Sequence, residues 1–213
     1  MKQSVKQKLS RMGILPYLDI VLRTPSILRW VSGGCTGLAP APVKRMVISS
    51  HLRRFSLHQF IETGTHLGDT LAYIAYNKNV ECISIELADH YYEAAKKRFD
   101  RYRNVNLIHG DSGAVLPEYV QKLAKPALFW LDGHYSGGTT ARGERDTPVN
   151  NELLAILNSP IKTHVILIDD ARFFNGSDTY PHLEKLMKMV RSCKVYDIEV
   201  SADIIRVTPI DKS

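Results

Sequence analysis

With 213 residues, 44% of them hydrophobic and 23% charged, the chain is sized for one globular domain and an appendage, which excludes wholesale disorder and a fibrous repeat. Cys35, Cys82 and Cys193 are too few and too far apart for a disulfide framework or a zinc-finger site, and they read as reduced thiols of a cytoplasmic protein. The net charge of +6 is uneven: residues 1–60 carry ten Lys/Arg against the single acid Asp19, a net +9, which leaves the remainder at −3.

Helical pieces are predicted over 3–12, over 16–31 with an interruption at Pro25, and over 42–54, with a Gly- and Pro-rich loop between the last two. Charged residues and prolines break every apolar run here, so no segment reaches the roughly 18–20 apolar residues of a membrane span, and no signal peptide fits. The basic arm is a solvated helix face, or it faces an anionic substrate, nucleic acid or a phospholipid surface. Peripheral membrane contact stays open, because basic residues mix with Ile, Leu, Tyr and Trp.

From residue 58 short apolar runs alternate with amphipathic ones. Strands are predicted at 58–62, 80–86, 106–109, 127–132 and 165–169, and helices at 69–77, 88–102, 113–123, 148–157 and 180–191. Two further strands, 195–200 and 203–207, form a terminal hairpin around Ser201-Ala202. This alternation predicts an α/β, Rossmann-like doubly wound fold with a mainly parallel seven-stranded sheet ending in an antiparallel hairpin. The domains are then a basic helical arm or cap over 1–55 and a ligand-binding domain over 56–213.

Ligands of such sheets sit where the carboxyl ends of the strands meet the following loops. The first strand leads into Glu62-Thr63-Gly64-Thr65-His66-Leu67-Gly68-Asp69-Thr70, where Gly64 and Gly68 allow a tight turn and a close approach to a ligand. Glu86 ends the second strand, placed to hold a ribose diol, and Asp111 with Ser112 follows the third, able to face an adenine edge. The fourth strand leads into Asp132-Gly133-His134-Tyr135, and the fifth into Asp169-Asp170-Ala171-Arg172. Every parallel strand thus ends in an acid, which points to a nucleoside-type ligand. A dinucleotide pyrophosphate is disfavoured by the G-x-x-x-G spacing and by Glu62 and Asp69. Carboxylates suit a ligand carrying an ammonium and a sulfonium, which is S-adenosyl-L-methionine.

Over about 58–208 this pattern resembles the class I S-adenosylmethionine-dependent methyltransferases. The resemblance implies that Glu62, Gly64 and Gly68 line the methionine side and that Thr65, Asp69 and Thr70 also bind the cofactor. It likewise implies that Glu86 takes the ribose, that Asp111 and Ser112 flank the adenine, and that Asp132 borders the cofactor. The Asn/Asp-Pro-Pro-Tyr stretch of amine methylation and the Pro-Cys of cytosine-C5 enzymes are both missing. Asp132-Gly133-His134 and Asp169-Asp170 instead resemble the metal-dependent sugar O-methyltransferases of the macrocin type, a match that covers mainly these two strand ends. By this analogy Asp132, Asp169 and Asp170 ligate Mg²⁺, and His134, beside Asp132, is the catalytic base. Hard carboxylates on adjacent strand ends suit such an ion, which acidifies a bound hydroxyl. The bland alternatives are that Asp132 only hydrogen-bonds cofactor or substrate, that Asp169 or Asp170 caps a turn, and that His134 is structural.

The expected function is therefore methyl transfer to a hydroxyl of a sugar, a glycan or another small molecule. Tyr135, Arg142 and Arg172 are candidate acceptor contacts, the arginines suiting an anionic acceptor unless they are simply solvated. Two other readings stand beside it: an RNA-binding or RNA-modifying relative, and a catalytically silent cofactor-binding subunit. The arm lacks interleaved aromatics and any recognisable RNA-binding motif, which argues against nucleic acid. A homo-oligomer is left open.

Overall fold

A computed structural model describes residues 15–132, 148–176 and 180–210, with side chains from residue 21 onward. In chain order the elements are α1 (Leu15–Ser32), α2 (Ala41–Arg54), β1 (Gln59–Thr63), α3 (Asp69–Ile74), β2 (Glu81–Glu86), α4 (Asp89–Phe99), β3 (Val105–His109) and α5 (Ser112–Gln121). Then follow β4 (Leu128–Leu131), α6 (Val149–Leu157), β5 (Val165–Ile168), a 3₁₀ turn at Ala171–Phe173, α7 (Leu183–Ser192), β6 (Tyr196–Ser201) and β7 (Ile204–Pro209). The predicted piece at 3–12 lies outside the described residues.

Among the described residues the sheet has seven strands in the order β3-β2-β1-β4-β5-β7-β6. The first five run parallel, and β7 lies antiparallel to both β5 and β6. The predicted hairpin thus joins the sheet through its second strand. The two halves of the sheet diverge from β1 and β4, and this reversal of strand order opens a crevice at the carboxyl ends.

Strictly alternating side chains make the sheet apolar on both faces, as a central parallel sheet requires. Phe60, Leu128, Trp130, Val165 and Leu167 pack on one face with residues of α2, α3 and α4. Ile61, Phe129, Leu131, Ile166 and Ile168 pack on the other with α5, α6 and α7. Ile48 and Leu52 carry α2 into the first of these layers.

Against expectation, α1 runs without a break through Pro25. A proline inside a helix removes one hydrogen bond and leaves the carbonyl four residues earlier unpaired. Here that residue is Val21, which is 68% exposed, so water can serve the carbonyl. Among the described residues no helix is long and apolar enough to cross a membrane.

Candidate active site

Strand register sets the site. Thr63 pairs with Ile85 on one side and Leu131 on the other, and Leu131 pairs with Ile168. The residues that follow, Gly64, Glu86, Asp132 and Asp169, therefore emerge level along one rim.

On the β1 side the loop is held by its own acids. Gly64 takes φ +82° and donates its N–H to Ile85 O at 2.9 Å. Glu86 accepts from His66 N at 2.7 Å and from Ala88 N at 2.8 Å, so one carboxylate braces both the β1 loop and its own turn. Beneath them Thr65 Oγ1 lies 2.6 Å from Ser84 Oγ, and Ser84 donates to Glu62 at 2.7 Å. Burial pushes the Glu62 carboxyl up to about 8; the Ser84 hydrogen bond opposes this and the charge of Glu86 adds to it. Glu62 is therefore neutral at pH 7 and belongs to the foundation of the loop.

Gly68 is held close to the core of its own domain. It begins α3 at φ +69°, and a Cβ there would stand 2.8 Å from Phe99 Cε2. The missing side chain makes room for the protein's own phenyl ring. Asp69 turns to Arg98 Nη1 at 2.8 Å, and Arg98 also holds Leu67 O. Thr70 is half-buried in the first turn of α3. His66 Nε2 lies 3.1 Å from Tyr91 Oη.

At the end of β3, Asp111 caps α5 by accepting from Gly113 N at 2.8 Å, and Ser112 is buried beside it. At the ends of β4 and β5, carboxylate oxygens of Asp132, Asp169 and Asp170 all lie within 4.8 Å of one another. Asp169 and Asp170 are buried; Asp132 is half-buried. Asp170 takes φ +55°, an uncommon conformation for a residue with a side chain, and its N–H donates to Asp169 Oδ1 at 2.7 Å.

The trio already faces a cation. Lys44 Nζ, from α2, lies 2.6 and 2.7 Å from the two oxygens of Asp169 and 3.0 Å from Asp170 Oδ1. Burial pulls the ammonium down, yet the two carboxylates outweigh it and hold Lys44 above its ordinary value. Burial likewise pushes Asp169 upward, with Lys44 opposing. Arg172 Nη1 bonds Asp170 Oδ1 at 2.8 Å and also holds Asp203, so this guanidinium is turned onto acids of its own domain. His134, Tyr135 and Arg142 lie outside the described residues.

No protein-family model and no curated protein matches the chain. Solved structures do. A methyltransferase of Podospora anserina bound to S-adenosylhomocysteine superposes with TM-score 0.58 at 17% identity, over 81% of this chain and 80% of that one. An O-methyltransferase of Bacillus cereus in complex with the same ligand gives 0.61 at 10% identity, over 88% and 90%. The O-methyltransferase TomG of Streptomyces achromogenes, in complex with S-adenosylmethionine, gives 0.59 at 12%, over 91% and 95%. This is the class I methyltransferase fold.

Within that fold two residues stand at the strand ends that were not legible as site residues in the sequence. Lys44 is one. The other is Glu152 of α6, which is 1% exposed and pushed up to about 7 by burial; the nearby Ser112 and Thr63 hydroxyls pull it down, and the charge of Asp111 raises it. Neither Thr63 Oγ1 nor Glu152 Oε1 reaches a partner in good hydrogen-bond geometry. A signal for Glu152 existed: Val149, Glu152, Leu153 and Ile156 share one helical face, and all four are buried.

Proposed function

We propose that the chain is an S-adenosylmethionine-dependent methyltransferase that acts on a hydroxyl of a sugar, a glycan or another small molecule. The observation that carries this reading is the level rim, in which the Gly64 loop and the braced carboxylate of Glu86 stand beside the acids after β4 and β5. Each oxygen of Glu86 takes one backbone N–H and keeps capacity for a further donor, which suits the two hydroxyls of a ribose. Asp111 and Ser112 suit the adenine edge at the next strand end. The S-adenosylmethionine or S-adenosylhomocysteine bound to the structural neighbours supports the same assignment.

In this reading the donor supplies a methyl group already activated by its sulfonium, and the chain aligns the acceptor and takes its proton. Glu62 fixes the loop through Ser84 and Thr65. The acceptor hydroxyl lies on the β4–β5 side, where Asp132 is the most open of the three acids; Asp132 and, by its place in the sequence, His134 are the groups to take the proton. The three carboxylates suit Mg²⁺ in ligand type and spacing, but the ammonium of Lys44 already sits on two of them, so no step is routed through a metal. The free thiols of Cys35, Cys82 and Cys193 agree with a cytoplasmic setting. Residues 1–55 act as the cap on the acceptor side.

Calorimetry with S-adenosylhomocysteine tests the donor half. Dissociation constants in the micromolar range are expected, on the order of −8 kcal/mol. Glu86→Ala should weaken binding at least about tenfold, roughly the loss of one charge-assisted hydrogen bond, and a melting curve checks that the variant is folded. Absence of heat with any adenosyl-sulfur ligand refutes the assignment. Transfer of a radiolabelled methyl group to hydroxylated acceptors, and its failure with amines, tests the other half.

A further inference from the structure

We propose that the cation position of the acidic trio belongs to Lys44, so that Lys44 and a divalent ion exclude one another there and the N-terminal arm takes the place of a metal. The proposal deepens the methyltransferase reading and rests on it only for the chemistry that the trio serves.

The placement is built, not incidental. Lys44 Nζ reaches both oxygens of Asp169 and one of Asp170 at 2.6–3.0 Å, across 125 and 126 residues of sequence, with only 13% of its side chain exposed. The backbone behind it is pinned. Pro40 and Pro42 fix the entry into α2, and Pro42, Arg45, Ile48 and Leu52 are buried around the same helix. Ile48 and Leu52 belong to the core that covers one face of the sheet. Withdrawing Lys44 by moving the helix would therefore uncover apolar surface.

Lys44 also stands near the amino end of α2, where the helix dipole disfavours a cation. Its position follows from its partners and not from any preference of the helix. Those partners need it. Asp169 and Asp170 are 6% and 7% exposed, and two buried carboxylates side by side call for a compensating charge. Arg172 shares itself between Asp170 and Asp203, while Asp169 takes its cation from Lys44.

A divalent ion binding the same oxygens would bond to them at about 2.0–2.6 Å. That would place it against an ammonium lying 2.6–3.0 Å from those oxygens, so one cation must leave. Lys44 acts here as a positioning residue: it holds Asp169 and Asp170 together without a metal, and the site is completed only when α2 is docked. Removing the ammonium frees both oxygens of Asp169 within a trio of carboxylates that lie within 4.8 Å of one another, with Arg172 still on Asp170, and opens a place for a hard ion.

The experiment is a Mn²⁺ titration of the full chain, read by water-proton relaxation and calorimetry, for wild type, Lys44→Met, Lys44→Arg and the double variant Lys44→Met with Asp170→Asn. The expected result is no saturable binding at millimolar Mn²⁺ for wild type and Lys44→Arg. Lys44→Met should gain binding at least about tenfold tighter, and the added Asp170→Asn should abolish the gain. Wild type binding Mn²⁺ as tightly as Lys44→Met overturns the proposal. Should Lys44→Met not fold, wild type decides alone: an unchanged melting temperature between Mn²⁺ and a chelator supports it, and a rise that Asp170→Asn removes overturns it. These readouts involve neither donor nor acceptor, so failure here is distinct from failure of the donor calorimetry.

Discussion

Replacing Glu62 by glutamine probes the foundation of the rim directly. Its carboxyl is 2% exposed, and burial raises it from an ordinary 4.5 to about 8. A group that holds its proton more tightly when folded contributes its full stability at acid pH and loses it as pH rises through the folded value. At about 1.4 kcal/mol per pH unit, the interval from pH 5 to pH 8 removes about 4 kcal/mol from wild type. That is a large share of the roughly 5–15 kcal/mol that holds a domain folded. Glutamine keeps the shape of the side chain and an oxygen for Ser84 Oγ, and it cannot ionise. Glu152, pushed up to about 7, falls in the same direction in both proteins and cancels from the comparison. Urea unfolding at pH 5 and pH 9 should therefore show wild type losing about 4 kcal/mol more than Glu62→Gln. Parallel losses across that range would mean that the carboxylate is ionised in the fold, and the account of the loop would be wrong.

Two further predictions concern stability. Gly68→Ala places a Cβ 2.8 Å from Phe99 Cε2 at a φ of +69°, so backbone and packing strain together should cost about 3 kcal/mol and lower the melting temperature by roughly 6–12 °C. A melting point unchanged by the substitution would show that α3 can start without a glycine. His164 is fully buried, its Nδ1 accepts from Ala127 N at 3.1 Å, its Nε2 lies 3.0 Å from Ser159 Oγ, and burial lowers its value to about 4. The unfolded chain takes up this proton first as pH falls, so about 2–3 kcal/mol should be lost between pH 6.5 and 4 relative to His164→Gln, and equal pH profiles would contradict a neutral imidazole.

The strands were legible because their burial leaves a local mark. Leu128–Leu131 and Val165–Ile168 are uninterrupted apolar runs, as strands covered on both faces must be, and their order along the chain already implied crossovers and a rim. The acids of the rim were legible for the same reason: each stands where a run stops. Their roles were not. Both acids close an apolar run in the sequence, yet Glu62 lies within β1, buried and neutral, whereas Glu86 is the last residue of β2 and takes two backbone amides. Strand register separates the two cases, since Glu62 lies level with Ser84, two residues short of Glu86. Gly68 shows the same limit, since its need for glycine comes from Phe99, 31 residues away.

The charge asymmetry tells most about what a sequence conceals. A net +9 over the first sixty residues invites an external anion as partner. Part of that charge is already answered within the chain. Lys44 is bound to Asp169 and Asp170, and Arg45 on the same helix is only 8% exposed. The acids at strand ends and the bases on the arm are two halves of one arrangement, separated by more than a hundred residues. Arg23, Arg29, Arg53 and Arg54 remain exposed. An external anion would therefore meet the exposed side of the described arm, while Lys44 faces inward onto Asp169 and Asp170.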